Sequence, residues 1–408
     1  MVNMKKRMYY QNIWAEFNSE KNMVFISGPR QTGKTTLAKS IAAPEPSSLY
    51  FNYDIQANKA RLLENPTFFE EEVDRKKNSL PLIVLDEIHK HRDWKNYLKG
   101  IYDGYADEFR FLVTGSGRLD LSRRKGDSLA GRYLHFHLHP FTLGEMFASG
   151  TGLEDVSRIL EIPERIRDAE EAWETMFHMS GFPEPFLKGS KTAYRRWART
   201  YHSQVIRDDI RDEFAVRQMD AMETLYAMLS RCVGSPFSAS SLARTLGVSH
   251  KTVSSWIDLF ERFFLVFKIR PFSRRLARSL VKEPKIYFYD YCRTQDEGLR
   301  FENMVAVELH RATTLWKDFG LGDYDLWHIR NKEKQEVDFL VTENKEPRFM
   351  VETKLTETRT NPNLIKFQNI LNVPAVQLVN RKNTARKIKN GSNSILVAGA
   401  ANWLSALN

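Results

Sequence analysis

In the first part of the chain, up to residue 148, short continuous apolar runs alternate with helical repeats. The runs at 23–26, 82–85 and 111–113 contain only apolar residues, as expected of parallel strands that are buried on both faces. After the first run, Leu37, Ala38 and Ile41 recur at the spacing of a helix. The pattern therefore predicts an α/β unit at residues 1–148.

Beyond residue 148 the pattern becomes helical. Residues 149–230 are rich in charge, and the segment Gly181 to Pro185 interrupts them because it cannot continue a helix. In residues 231–284 an apolar repeat ends at Gly247, and Ser249 can cap a second helix. The apolar face of that second helix consists of Val253, Trp256, Ile257 and Phe260. This arrangement predicts a helix–turn–helix.

The last part of the chain, residues 285–408, contains mainly strand patterns. Two runs, 337–341 and 349–354, are separated by a polar turn and predict a hairpin. We expect a helix at 301–311 before this hairpin, and a helix at 365–370 and a strand at 373–379 after it. Together these elements predict a second α/β core.

A glycine-framed loop joins the first apolar run to the first helix. Gly28, Gly33, Lys34 and Thr35 meet the pattern G-x-x-x-x-G-K-[ST] in full. Glycines let backbone N–H groups surround a phosphate, the lysine adds a positive charge, and the threonine offers a hydroxyl to Mg²⁺. The sequence therefore predicts ATP and Mg²⁺ as cofactors. The expected nucleotide-binding residues are Gly28, Pro29, Arg30, Gln31, Thr32, Gly33, Lys34, Thr35 and Thr36.

Two carboxylates, Asp86 and Glu87, follow the apolar run at 82–85. We expect Asp86 to hold Mg²⁺ together with Thr35, and Glu87 to orient and polarise the attacking water. Lys34 would act on the β- and γ-phosphates during the same reaction. The loop and the acidic strand end together predict hydrolysis as well as binding.

Arginines further along the chain are candidates for contact with the γ-phosphate. Arg132 follows a small-residue turn, and its cation would stabilise charge that develops during phosphoryl transfer, within the chain or on a neighbouring copy. Arg123 and Arg124 compete for this role, and a structural role is equally compatible with the pattern. The sequence therefore leaves open whether the protein forms a homo-oligomer.

The chain is basic, with a net charge of +10 at pH 7 and a pI near 9.3. Such a balance favours polyanions as partners, and we expect nucleic acid, DNA rather than RNA. Two cysteines exclude a disulfide framework, and no apolar run approaches the roughly 20 residues that span a bilayer. The expected location is cytoplasmic, without a membrane partner.

The second helix of the helix–turn–helix carries polar residues opposite its apolar face. His250, Lys251, Ser254 and Ser255 could contact bases or phosphates, whereas Asp258 would repel phosphate. A basic stretch follows where a wing would lie. It contains Arg270, Arg274, Arg275, Arg278, Lys282 and Lys285. The alternative is a winged helix that serves only packing or protein contacts.

Three acids and a lysine can converge near the predicted hairpin. Alternation places Glu352 and Lys354 on the same side of one strand. Asp338 on the neighbouring strand and Glu302 on the preceding helix complete the set. Such groups suit metal-assisted phosphodiester cleavage, with Glu302, Asp338 and Glu352 as Mg²⁺ ligands and Lys354 as the residue that positions water. Charged strand ends without catalysis are the alternative.

The order of the motifs resembles a large group of bacterial and archaeal AAA+ ATPases with a C-terminal domain of unknown function of PD-(D/E)XK type. The resemblance rests on Gly28 to Thr35, Leu85-Asp86-Glu87, Thr114-Gly115-Ser116, Leu129 to Arg132, Gly181 to Glu184, Arg207 to Ile210, Lys282 to Phe288, Glu336 to Phe339 and Glu352 to Lys354. It implies that Ser116 or Thr114 contacts the attacking water or the γ-phosphate.

The resemblance also implies an α/β fold of four parts. These are a P-loop AAA+ core (1–148), a helical lid (149–230), a winged helix (231–284) and a restriction-endonuclease-like domain (285–408). The first functional hypothesis is an ATPase that acts on nucleic acid and has an Mg²⁺-dependent nuclease domain. The second is a nucleotide-controlled switch or scaffold whose C-terminal domain docks protein or DNA without catalysis.

Overall fold

The computed structural model describes residues 7–17, 20–74, 80–117, 129–147, 159–161, 166–211, 218–273 and 283–407. The chain divides into two compact units, residues 1–139 and 140–408. No helix within the described ranges is long and apolar enough to cross a bilayer.

The first unit has a parallel sheet flanked by helices. Its strands are β1 (Met23–Ser27), β2 (Ser48–Asn52), β3 (Leu82–Asp86), β4 (Arg110–Gly115) and β5 (Tyr133–His137). Its helices are α1 (Met8–Phe17), α2 (Lys34–Ala42), α3 (Gln56–Glu64), α4 (Phe69–Glu72) and α5 (Trp94–Tyr105). A short 3₁₀ turn, Ile88–Lys90, follows β3. The α/β architecture expected from the apolar runs is confirmed.

The strand order β2-β3-β4-β1-β5 brings the chemical residues to one edge of this sheet. All four pairings are parallel, and Asp86 on β3 lies opposite Thr114 on β4, which lies opposite Ile26 on β1. Because parallel strands end at the same edge, the phosphate loop after β1 and the acids after β3 are neighbours. The central strands β1 and β3 are buried throughout, as their continuous apolar sequences require.

An aromatic cluster fills one side of the first unit. The Phe69 ring meets the edges of Tyr105, Phe109 and Phe111, with ring centroids 5.1 to 5.7 Å apart. Edge-to-face pairs of this kind add to the free energy gained from burying the rings. The short helix α4 is therefore anchored to the sheet.

The second unit begins with helices and ends in a large sheet. The helices are α6 (Leu143–Phe147), α7 (Arg167–Met179), α8 (Pro183–Lys188), α9 (Lys191–Ser203), α10 (Met219–Leu229), α11 (Ala239–Leu246), α12 (His250–Arg262), α13 (Glu297–Asp318), α14 (Pro362–Leu371) and α15 (Ala400–Ser405). A π-helical stretch, Gln204–Ile210, continues α9.

The helix–turn–helix is formed by α11 and α12. Gly247 ends α11 in the left-handed conformation, with φ of 65°, as a C-terminal glycine does. Ser249 then caps α12, because its hydroxyl accepts a hydrogen bond of 3.0 Å from the backbone N–H of Thr252. The face with Val253, Trp256, Ile257 and Phe260 is buried. Both predicted helices, and the turn between them, are present.

One eight-stranded sheet runs through the rest of the second unit. Its strands are β6 (Val266–Pro271), β7 (Lys285–Phe288), β8 (Tyr324–Arg330), β9 (Glu336–Glu343), β10 (Glu346–Lys354), β11 (Ala375–Val379), β12 (Ala385–Asn390) and β13 (Asn393–Gly399). The order is β12-β13-β11-β10-β9-β8-β6-β7. The predicted β9–β10 hairpin is antiparallel, as expected.

This sheet crosses one of the expected domain boundaries. The boundary at 284/285 separates β6 from β7, yet these strands pair with each other, and β6 also pairs with β8. Helices α7, α9 and α10 share one hydrophobic core with α12 and α13. The segment expected to be a helical lid therefore packs with the C-terminal part of the chain. Its role as a lid, and the division into four domains, stay predictions.

Candidate functional site

The phosphate loop has the backbone that its glycines were expected to permit. Gly28 has φ of 156°, and a Cβ there would lie 2.1 Å from the carbonyl oxygen of Leu138. Gly33 has φ of 94°, a left-handed conformation at the start of α2. The loop thus leads directly into a helix N-terminus, where free N–H groups favour an anion.

Lys34 is buried, and its ammonium bonds to the loop itself. It donates hydrogen bonds to the carbonyl oxygens of Gly28, at 3.0 Å, and Pro29, at 2.7 Å. The Thr32 hydroxyl donates to the same Pro29 oxygen at 2.8 Å. A bound phosphate would give this ammonium a stronger, charged acceptor. The loop therefore holds its lysine beside the place where phosphates are expected.

Asp86 is the centre of a polar network at the end of β3. Its Oδ2 accepts hydrogen bonds from the hydroxyls of Thr35, at 2.7 Å, and Tyr50, at 2.5 Å. Thr114 donates to Oδ1, and the Asn52 amide lies 3.2 Å from Oδ2. Thr35 and Asp86 are thus joined, as two ligands of one Mg²⁺ would be. The donor set of hydroxyl, carboxylate and nucleotide phosphates fits Mg²⁺.

Glu87 follows Asp86 in a strained backbone conformation. Its φ of 59° is left-handed, which is uncommon for a residue other than glycine. Its carboxylate lies 3.1 Å from the ammonium of Lys90 and 3.7 Å from Nε2 of His89. Strain of this kind often occurs where function fixes a side chain. This conformation ends β3 at Asp86 and begins the turn that follows it.

The two remaining candidates of the first unit, Ser116 and Arg132, have different surroundings in the structure. Ser116 lies close to this turn, because its Oγ is 3.2 Å from Nε2 of His89. Arg132 instead pairs with Asp103 on α5, with Nε 2.7 Å from Oδ1, and both side chains are partly exposed. This ion pair supplies a structural role for Arg132, and its role at the γ-phosphate stays a prediction. Arg123 and Arg124 lie outside the described residues.

A second cluster of charges forms in the second unit, where β7, β9, β10 and α13 meet. Lys354 lies 2.7 Å from Oε1 of Glu352, and the backbone N–H of Asp338 lies 3.3 Å from Oε2 of Glu352. The backbone N–H of Thr353 donates to Oδ2 of Asp338 at 2.9 Å. The expected convergence of these three residues is present.

Lys285 was not expected in this cluster. Its ammonium is fully buried and lies 3.4 Å from Glu302, 3.7 Å from Glu336 and 3.8 Å from Asp338. Burial opposes its charged form, but the three carboxylates outweigh burial and raise its pKa. The assignment of Lys285 to a phosphate-binding wing is therefore wrong, because its charge faces the interior and already has partners.

The acids of this cluster were expected to hold Mg²⁺. Among the residues that the structure describes, no three His, Cys, Asp or Glu side chains are arranged to hold a metal ion. Burial, and then the neighbouring Asp338, raise the pKa of both Glu302 and Glu352. The Lys285 ammonium supplies the positive charge that a cation would bring. Mg²⁺ ligation by Glu302, Asp338 and Glu352 therefore stays a prediction.

The outer face of α12 is open, as a recognition helix requires. His250, Lys251, Ser254 and Ser255 are exposed. Asp258, the residue expected to repel phosphate, forms an ion pair with Lys268 on β6. Of the basic stretch, Arg270 is partly buried, whereas Arg274, Arg275, Arg278 and Lys282 lie outside the described residues.

Sequence reasoning missed several residues of both sites. In the first unit these are Tyr50 and Asn52, which bond to Asp86 from the neighbouring strand. In the second they are Lys285, Glu336, Tyr287 and Asn361. A polar residue within an otherwise apolar strand, such as Lys285 beside Ile286, was the available signal. Its partners could not be read from it.

Three segments of the chain match known protein families. Residues 20–147 match the AAA_14 family, described as an AAA domain. Residues 170–292 and 297–398 match two domains of unknown function, DUF8612 and DUF4143. Neither of the later matches carries an activity.

Relatives that match a large part of the chain carry the name "uncharacterized protein". One from Methanocaldococcus jannaschii is 25% identical over 303 residues, covering 66% of this chain and 61% of its own length. One from Mycobacterium tuberculosis is 25% identical over 345 residues, covering 82% of this chain and 71% of its own. The chain thus spans under two thirds of the archaeal relative.

Among solved structures, one titled "Structural Basis for Katanin Self-Assembly" is 19% identical with a TM-score of 0.25, covering 51% of this chain and 71% of its own. PCH-2 of C. elegans is 13% identical with a TM-score of 0.21, covering 42% and 43%. TM-scores this low establish no shared fold. The assignment rests on the family match and on the geometry of the phosphate loop, Thr35 and Asp86. Residues 20–147 are therefore an AAA-type domain of the nucleotide-binding ATPases.

Proposed function

We propose that this protein hydrolyses ATP with Mg²⁺ and uses the reaction to act on nucleic acid, DNA in preference to RNA. The observation that carries the ATPase part is the hydrogen bond between Thr35 and Asp86, because it joins the phosphate loop to the acidic strand end. Bound Mg²⁺ would neutralise charge on the β- and γ-phosphates.

Three side chains have distinct tasks in the proposed reaction. Lys34 leaves the carbonyl oxygens of Gly28 and Pro29 and binds the β- and γ-phosphates. Glu87 orients the water that attacks the γ-phosphorus, and it accepts a proton as the bond to the leaving ADP breaks. Tyr50 keeps Asp86 in position through its hydroxyl. Ser116 stands beside His89, close to the turn that carries Glu87.

The nucleic-acid part of the proposal is supported by α12 and by the charge of the chain. The exposed face of α12 presents Lys251 near its N-terminus, the end that enters a major groove in helix–turn–helix proteins. The pairing of Asp258 with Lys268 reduces the repulsion of phosphate. A net charge of +10 adds attraction that does not depend on sequence.

Replacement of Lys251 by alanine tests this interface. We expect duplex DNA to bind roughly three- to tenfold more weakly, and the dependence of log affinity on log salt to become shallower by about 1, as for one lost phosphate contact. Fluorescence anisotropy with labelled duplex, single-stranded DNA and RNA measures both quantities. Lys345→Ala, which removes an exposed lysine from the β9–β10 turn, is the matched control. Equal binding by the two variants would contradict the assignment of α12.

The second candidate function, a switch or scaffold with a docking C-terminal domain, is favoured by one observation. Lys285 already provides the cluster of Glu302, Glu336 and Asp338 with a cation. We therefore expect no cleavage when labelled DNA or RNA is incubated with the protein, ATP and Mg²⁺ or Mn²⁺. Metal-dependent cleavage that disappears in Asp338→Ala would overturn this expectation and support the nuclease hypothesis instead.

A further inference from the structure

The charged side chains in residues 358–408 are all basic. Residues 358–408 contain no aspartate or glutamate, and they contain seven lysines and arginines. The whole chain has a net charge of +10, so this segment supplies a large share of it. Five of the seven basic residues fall within nine positions. They are Arg381, Lys382, Arg386, Lys387 and Lys389.

These five residues lie on the outermost strand of the eight-stranded sheet and in the turn before it. Strand β12 pairs with β13 on one side and is one of the two edge strands of this sheet. All five side chains are exposed. We call residues 381–389 the basic edge. It is a narrow ribbon of positive charge along one margin of the second unit.

The charges of the basic edge are largely uncompensated. Arg386 donates to the carbonyl oxygen of Thr358, which leaves its charge in place. Lys382 approaches Glu174 at 3.8 Å, and both side chains are more than half exposed. In the part of the chain that the structure describes, Lys387 and Lys389 have no carboxylate partner within ion-pair distance. Exposed, unpaired cations of this kind are available to a polyanion.

The spacing along β12 suits a phosphate backbone. Lys387 and Lys389 are two residues apart and therefore lie on the same face of the strand. Their Cα atoms are about 6.6 Å apart along the strand. A nucleic-acid strand advances about 3.4 Å along the helix axis for each phosphate. The two lysines are therefore close enough to contact neighbouring phosphates of one strand.

A different explanation for lysines on an edge strand is protection against aggregation. Charged side chains there prevent a second chain from adding to the sheet. Acidic residues would give the same protection, and a mixture of both signs would keep the surface neutral. The absence of any acid in residues 358–408 is not explained by protection. A negatively charged partner would account for it.

We propose that the basic edge binds the phosphate backbone of nucleic acid, as a second contact surface in addition to α12. The proposal rests on the proposed action on nucleic acid, and it adds where the duplex is held. Arg381 and Arg386 also reach the loop after β10, at Thr356 and Thr358. Asn361 of the same loop donates to Glu352. A duplex on the basic edge would therefore lie next to the loop that supports the carboxylate cluster.

The double variant Lys387→Gln, Lys389→Gln tests the proposal without removing any contact within the fold. We expect duplex DNA to bind roughly tenfold more weakly at about 50 to 200 mM salt, and the salt dependence to become shallower by about 2. The control is Arg195→Gln, Arg196→Gln, which removes two exposed charges from α9. Its affinity should stay within twofold of wild type.

The outcomes separate this proposal from the proposed function. If wild type binds DNA, Lys251→Ala weakens it and the β12 variant does not, the basic edge is overturned while the proposed function stands. A β12 variant that binds DNA normally but aggregates in light scattering would show that the lysines only protect the edge. If wild type binds no nucleic acid at any salt concentration, both proposals fail.

Discussion

Replacement of Lys34 by alanine is expected to lower ATP turnover by at least about a hundredfold. The ammonium is buried beside the phosphate loop and is held by the carbonyl oxygens of Gly28 and Pro29. It is the charge closest to the expected β- and γ-phosphates, and loss of one such preorganised group costs roughly 10²- to 10³-fold in rate. Release of phosphate from ATP in the presence of Mg²⁺ measures the effect.

A matched control for this variant lies on the same helix. Lys39→Ala removes an exposed lysine from α2, about one and a half turns further along, and should leave turnover within a few-fold of wild type. Circular dichroism of both variants shows whether the fold is retained. Unchanged hydrolysis in Lys34→Ala would remove the basis for the ATPase assignment.

Gly28→Ala is expected to destabilise the first unit by about 3 to 5 kcal/mol. The new Cβ would lie 2.1 Å from the carbonyl oxygen of Leu138, and φ at this position is 156°. Overpacking against a fixed backbone costs about 1 to 3 kcal/mol, and a backbone conformation that favours glycine costs a similar amount. The obstacle is main chain, held by a 2.7 Å hydrogen bond from Leu138 N to Ser27 O, so it cannot turn aside.

Urea denaturation followed by tryptophan fluorescence measures this loss. The two units need not unfold together, so the transition of the first unit is the relevant one. Gly100→Ala is the control, because this exposed glycine of α5 has no atom within 4 Å of its added Cβ. That substitution should stabilise by about 0.5 to 1 kcal/mol, since alanine favours the helix. Equal stability of Gly28→Ala and wild type would contradict the close approach of Leu138.

The parts of the fold that local sequence determines were predictable. The phosphate loop, the capped helix after Ser249 and the hairpin of β9 and β10 are each encoded within about twenty consecutive residues. The large sheet was not, because its pairings join distant segments. Strand β12 in particular has a polar, basic sequence, and nothing in its pattern distinguishes an edge strand from a loop.

The candidate sites show the same limit. Asp86 and Thr35 were recognisable because phosphate chemistry fixes their types and spacing. The role of Lys285 was not, because a lysine in sequence gives no sign of the carboxylates that surround it in space. Its neighbours come from α13 and β9, at Glu302, Glu336 and Asp338. Only the assembled sheet shows that this cluster contains its own cation.

The pairing of β6 with both β7 and β8 has a mechanical consequence. Strand β6 follows α12 directly, and through β8 it is hydrogen-bonded to the sheet that carries the carboxylate cluster and the basic edge. Sliding one strand past its neighbour would break the hydrogen bonds of the ladder between them. Movement of α12 relative to β12 would therefore require the ladders between these strands to deform or break. The two proposed contact surfaces would therefore meet a duplex at a separation that the strand order of this sheet sets.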